Sequence, residues 1–162
     1  VSELSHVDDA GAARMVDVSG KQASARVAVA SGVVRTTAEV VGLLSANGLA
    51  KGDALGTARI AGIMGAKRVP ELIPLCHQIA LSSVKVDFEL GEAEVRIIAT
   101  ARTTDRTGVE MEALTAVAVA GLTVHDMIKA VDPAATLDAI RLERKEGGKT
   151  GLWTRDSEGA VS

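Results

Sequence analysis

GVEMEALTAVAVAGLTVHDMIKAV, residues 108–131, is apolar through its middle and charged at both ends. No residue between Glu112 and His125 carries a charge. A helix apolar in that way belongs in a core. The stretch therefore predicts a rigid, buried rod whose charged ends, Glu110 and Glu112 at the start and Asp126 and Lys129 at the finish, surface where something uses them. Asp126 lies in the last turns, where the negative end of the helix macrodipole disfavours a carboxylate. A position that breaks a local rule is a candidate functional site. Glu112 and Asp126 are separated by roughly 21 Å along the axis and stand about 40° from a common azimuth. A small substrate cannot easily touch both, so if both ends act, a site combines opposite ends from two subunits.

Working outward, the helix is preceded by a hairpin. Val84, Val86, Phe88 and Leu90 alternate with Lys85, Asp87 and Glu89. That pattern makes 81–90 and 94–102 half-buried antiparallel strands around a turn at 91–93. After the helix come Pro133 and a last strand near 137–143. Upstream, 14–19 and 25–35 read as strands, the second carrying Val27, Val29 and Val33. Residues 36–46 read as a helix with a Thr36/Glu39 capping box, a face of Val40, Leu43 and Leu44, and Gly48 as its stop. A second helix, 53–68, ends before Pro70 and carries Ala58, Ala61, Gly62, Gly65 and Ala66 as a small-residue stripe that permits close backbone approach. The order ββααββαβ predicts an α+β fold, and its βαββαβ core is ferredoxin-like, an antiparallel sheet with helices packed on one face. The expected organisation is a flexible arm (1–13), a single α+β domain (14–148) and a flexible tail (149–162).

Composition narrows the classes. Eighteen basic against 21 acidic residues leave no global field to recruit nucleic acid or membrane. One Trp, one Phe and no Tyr provide no base-stacking platform. The single Cys76 excludes an intramolecular disulfide framework and fits a reducing compartment. No signal peptide is visible, and the uncharged run 113–125 is too short to span a bilayer. The expectation is a cytoplasmic protein.

Four constellations could carry chemistry. Lys51-Gly52-Asp53 stands before a helix N-terminus, where free N–H groups favour anions; the alternative is a solvated Lys before an Asp cap. Pro74-Leu75-Cys76-His77 offers an imidazole that titrates near neutrality, or simply a buried Cys and a satisfied His. With only His6 and His125 besides, a metal centre is not expected. On the long helix, Thr107 and Glu110 form a second capping box, which favours a structural Glu110. Asp126 and Lys129 are either a surface pair worth ~0.2–0.5 kcal/mol or a proton donor and the carboxylate that tunes it. Gly147-Gly148-Lys149-Thr150 ends like a phosphate-binding loop, but Glu143 holds the position where that motif needs Gly and no helix is expected to follow. Lys145 and Lys149 remain flexible cations for phosphate.

Taken together, Met15-Val16-Asp17-Val18-Ser19, Lys51-Gly52-Asp53 and Ala58-Arg59-Ile60-Ala61-Gly62-Ile63 form the first part of a longer pattern. Leu72-Ile73-Pro74-Leu75-Cys76-His77 and the run from Thr107 through Ala116 continue it. Asp126-Met127-Ile128-Lys129-Ala130-Val131 and Gly147-Gly148-Lys149 complete it. The set closely resembles the cyclic pyranopterin monophosphate synthase family, the C proteins of molybdenum cofactor biosynthesis, over residues 4–151 and in the same order and spacing.

The resemblance implies an enzyme that rearranges a cyclised guanosine triphosphate derivative to a pyranopterin, closing a cyclic phosphate and releasing pyrophosphate without a cofactor. It implies a homohexamer, a trimer of dimers, with sites at dimer interfaces. By family pattern Asp126 is catalytic, with Lys51 and Lys129 beside it. Leu75, Cys76, His77, Glu110, Met111 and Glu112 would line the substrate, and Lys21, Arg26, Lys67 and Lys145 would meet the triphosphate. The chain departs from the pattern in the small residues around Ser24 and in Gln78, where Pro often follows the His; neither removes a functional group. The alternative is a catalytically inactive oligomeric nucleotide-binding protein, which pyrophosphate release would separate from the enzyme.

Overall fold

A computed structural model of the chain describes residues 4–46 and 53–155. Its elements run β1 (Ser24–Arg35), α1 (Ala38–Ser45), α2 (Ala54–Ala66), α3 (Val69–Leu72), β2 (Leu81–Leu90), β3 (Glu94–Asp105), α4 (Glu110–Ile128), β4 (Thr136–Glu146) and β5 (Trp153–Thr154). The five strands form one antiparallel sheet in the order β2-β3-β1-β4-β5. β3 sits between β1 and β2, the arrangement of a ferredoxin-like split βαβ unit, so the α+β reading holds.

The long apolar helix is α4, and it is the centre of the molecule. Ala113, Ala116, Val117, Ala120, Val124 and Ile128 are buried, and the helix packs against α2, β1, β3 and β4. By length and composition alone α4 could cross a bilayer; here it is the core helix. The sheet meets it with small side chains, Ala28 and Ala30 from β1 and Ala99 and Ala101 from β3, all fully buried. The valines expected to mark β1, Val27, Val29 and Val33, are only half-buried, because the opposite parity of that strand faces the helix. The small-residue stripe on α2 does what its composition suggests: a Cβ on Gly62 would lie 2.8 Å from the Ala116 carbonyl oxygen. Only glycine lets α2 and α4 pack at that separation.

Three local expectations are corrected. Residues 14–19 form no strand: the Asp17 carboxylate accepts the Ser19 N–H at 2.9 Å and the Lys21 N–H bonds Val18 at 3.0 Å, local turn bonds that replace a ladder. α1 is capped by Thr37, whose hydroxyl accepts the Val40 N–H at 3.2 Å, not by Thr36. Thr36 instead donates to Asp132 at 2.8 Å. α4 starts after Val109 without a side-chain cap, so Thr107 and Glu110 form no capping box. Beyond β4, β5 pairs Trp153 with Lys145 and Thr154 with Arg144. Gly48, the expected stop of the first helix, lies outside the described residues.

Candidate functional site

One end of the sheet collects the start of β1, the ends of β3 and β4, and the N-terminus of α4. Two cavities open there. The first, about 170 Å³, is lined by His6, Leu75, Cys76, His77, Thr107, Gly108, Glu110, Met111 and Glu112. The loop after α3 supplies Leu75 to His77, held by a Cys76 N–H bond to the Ile73 carbonyl at 3.2 Å. His77 Nε2 donates to the Val16 carbonyl at 2.6 Å. That bond fixes the ring and leaves Nδ1 as the nitrogen available to a ligand.

Glu112 is the unusual group. It sits in the first turn of α4, only 3% exposed. Burial pushes its carboxyl up to about 7, a bond from its own backbone N–H opposes the rise, and the neighbouring Glu110 charge adds to it. A carboxyl poised near neutrality can give or take a proton. The Cys76 thiol is raised, first by burial and then by the Glu112 charge, which makes it a poor nucleophile and an ordinary lining group. Glu110 is half-buried and paired with Lys145 of β4 at 3.4 Å.

The second cavity, about 470 Å³, is cationic, with Lys21, Arg26 and Lys149 on its wall beside Ser24 and Gly148. Arg26 is held from behind, its Nε donating to the Asp105 carbonyl at 3.1 Å and its Nη2 to the Arg106 carbonyl at 3.4 Å. Gly147 and Gly148 adopt φ of +96° and +71°. A side chain on Gly147 would overlap the Ala25 carbonyl, and one on Gly148 the Arg26 guanidinium. The two glycines thus lay the end of β4 onto the start of β1 and carry Lys149 to Arg26. Among the described residues the chain proceeds from here to β5 and not into an α-helix, so this is a turn and not a phosphate-binding loop.

The expected site residues divide. Leu75, Cys76, His77, Glu110, Met111 and Glu112 share the first cavity, Lys21 and Arg26 the second, and Lys145 reaches Glu110. Asp126 and Lys129 are not with them. They pair with each other at 2.8 Å at the other end of α4, each about half exposed. Lys67 caps the C-terminus of α2 and lines neither cavity, and Lys51 lies outside the described residues. Among the described residues, no three His, Cys, Asp or Glu side chains gather as a metal site.

Two lining groups escaped the sequence reading. Ser24 Oγ is buried without a hydrogen-bond partner, and nothing in a lone Ser signals that. His6, weighed only as a metal ligand, lines the first cavity; its spacing from the other groups hides this because the arm folds back.

The sequence model of the MoaC family matches residues 15–148. Cyclic pyranopterin monophosphate synthase 2 of Mycobacterium tuberculosis is 63% identical over 153 residues, covering 94% of this chain and 92% of that protein. The cyclic pyranopterin monophosphate synthase of Streptomyces coelicolor is 64% identical over 152 residues, 94% of this chain and 89% of its own length. That of Nocardioides sp. is 63% identical over 155 residues, 94% of this chain and 95% of its own. On both the family match and the extent of these identities, the chain belongs to the MoaC family.

Proposed function

We propose that this chain is a cyclic pyranopterin monophosphate synthase of molybdenum cofactor biosynthesis. It converts (8S)-3′,8-cyclo-7,8-dihydroguanosine 5′-triphosphate to cyclic pyranopterin monophosphate and releases pyrophosphate. The observation that carries the reading is identity above 60% with proteins of that name across nearly the whole chain.

The geometry gives the reading a chemical form. Closing the cyclic phosphate joins a substrate hydroxyl oxygen to the α-phosphorus and breaks the bridge to the β-phosphorus. The hydroxyl proton leaves and pyrophosphate departs. The cationic cavity of Lys21 and Arg26 suits the triphosphate and the charge that builds on the departing pyrophosphate. Opening the purine ring and building a pyran moves protons at several atoms. Glu112, with its carboxyl near 7, and His77, with one ring nitrogen outside its bond to Val16, line one cavity, which supports a part for both in such transfers.

Asp126, Lys129 and Lys51 are the remaining groups of this reading, with Lys67 as a further phosphate contact. Asp126 and Lys129 stand roughly 21 and 26 Å along α4 from Glu112, so the reading requires a second copy to bring them. A homohexamer built as a trimer of dimers, with each site at a dimer interface and the enzyme in the cytoplasm, is the assembly proposed.

Incubation with the cyclised intermediate tests the activity: pyrophosphate and a pterin should appear together. Binding without pyrophosphate release would make the chain an inactive nucleotide binder. Mixed oligomers of Glu112→Ala and Asp126→Ala subunits test the assembly. Activity should return, because some sites would carry neither defect. Persistent inactivity in properly mixed oligomers would put both residues in one subunit's site.

A further inference from the structure

Residues 4–14 close a hairpin on themselves. Val7 bridges Ala13, the Arg14 N–H bonds the His6 carbonyl at 2.9 Å and the Asp8 N–H bonds Ala12 at 2.9 Å. The Asp8 carboxylate accepts from the Ala10 and Ala12 N–H groups at 2.9 and 2.8 Å. Gly11 turns the chain at φ +80°. Such a hairpin spends its backbone hydrogen bonds internally.

What the hairpin presents to the body decides its role. A cover for an apolar patch would press its large apolar side chains inward. This one leaves Leu4 79% and Val7 38% exposed. It offers instead His6 and Ala13 to a recess of about 580 Å³ floored by Ile73, Pro74, Leu75 and Met111 and almost wholly apolar. His6 also lines the adjoining cavity of Cys76, His77, Glu110 and Glu112. Its Nδ1 faces the Arg14 carbonyl at 3.3 Å, which makes Nδ1 the donor and leaves Nε2 without a partner among the described residues. His77 is anchored in the same way through its other nitrogen. Two imidazoles, each tethered to a backbone carbonyl and each with one ring nitrogen outside that bond, therefore line the same cavity as Glu112.

We propose that His6 is a substrate-contacting residue of this site, and that the 4–14 hairpin is the flap that carries it. The proposal rests on the synthase reading above. The apolar floor takes the faces of the heterocycle, and His6 Nε2 meets its polar edge from the open side.

Three variants test it, with folding checked by Tm: His6→Ala, His6→Gln and Gly11→Val. Gly11 has open space around it, so valine there acts through its unfavourable positive φ and displaces the flap rather than any packing. Two measurements are made on the full-length protein. The first is kcat and KM for the cyclised intermediate. The second is protection of Cys76, the only thiol, from iodoacetamide by guanosine triphosphate. His6→Ala and Gly11→Val should each lower kcat/KM by roughly tenfold or more, the scale of one lost hydrogen bond. Both should lose most of the ligand's protection of Cys76, with His6→Gln intermediate. The proposal stands only if His6→Ala is defective in both measurements at unchanged Tm; wild-type behaviour in either overturns it. If the unmodified protein releases no pyrophosphate, the synthase reading fails separately and the protection measurement alone decides the role of His6.

Discussion

The two ends of α4 are built to different standards. At the N-terminal end the chain buries Glu112 to 3% exposure, lines the same cavity with two tethered imidazoles and raises the Glu112 carboxyl to about 7. At the C-terminal end Asp126 and Lys129 share an ion pair at about half exposure, an arrangement worth well under 1 kcal/mol by itself. The same helix thus carries one end finished by its own chain and another that gains chemical force only when something excludes water from it. A charged pair on a rigid buried rod is a poor stability device and a good component for a site completed by a second copy.

That contrast can be broken most decisively at the exposed end. Asp126→Asn and Lys129→Ala should each lower turnover by ~10²–10⁴-fold, the usual contribution of a general acid or base, with Tm and oligomer size unchanged. Near-normal turnover in steady-state assays would reduce the pair to surface decoration.

The buried end is tested by pH. Glu112 has its folded pKa raised from about 4.5 to about 7. The folded state therefore holds a proton that the unfolded state has released in this window. Stability should fall as pH rises from about 4.5 to about 7 and then level off. Glu112→Gln should abolish that dependence and unfold at higher urea near pH 8, by up to about 3 kcal/mol. Equal urea midpoints for the two proteins across the range would mean that Glu112 sees as much water as Asp126.

The rod joining the ends is tested at Gly62. An added methyl would meet the Ala116 carbonyl oxygen at 2.8 Å and Ala120 Cβ at 3.2 Å. Gly62→Ala should destabilise by about 1–2 kcal/mol in thermal unfolding, overpacking outweighing the helix-propensity gain. A stabilised variant would mean that α2 sits further from α4 than described.

The smallest effect concerns the phosphate contacts. Arg26→Ala and Lys67→Ala should each raise KM about tenfold with a smaller change in kcat, because phosphate contacts are largely uniform binding. An unchanged KM for Lys67→Ala would leave that residue, which lines neither cavity, outside the site.

The parts of the fold visible in the sequence are those decided by local pattern and burial. The uncharged middle of α4 and the alternation of β2 need only one side facing a core. The stripe on α2 needs only a neighbour to approach. The failures at the two capping boxes and at the β1 face are tertiary. Thr36-x-x-Glu39 and Thr107-x-x-Glu110 look like caps, yet Thr36 finds Asp132, 96 residues away, and Glu110 finds Lys145. β1 turns Ala28, Ala30 and Val34 to the core, and Val27, Val29 and Val33 away from it.

The site was legible to a similar degree. Each motif could be named from its residues, and resemblance to a family supplied their roles. What the sequence could not convey is which motifs one chain brings together. Leu75, Cys76, His77 and Glu112 meet; Asp126 stays apart; and His6 returns from the arm to join the first group.

Trp153 gives the cationic end of the molecule a built-in optical reporter. It is the only Trp in a chain with no Tyr, so the intrinsic emission excited at the red edge of the protein band comes from one indole. That indole sits opposite Lys145 on the edge strand, with the Arg155 guanidinium 5.9 Å from its ring centre. Anion arrival at Lys145, or undocking of β5, changes the charge and hydration next to a single fluorophore. Occupancy of this end can thus be followed as a label-free spectral shift, with no second tryptophan to dilute the signal.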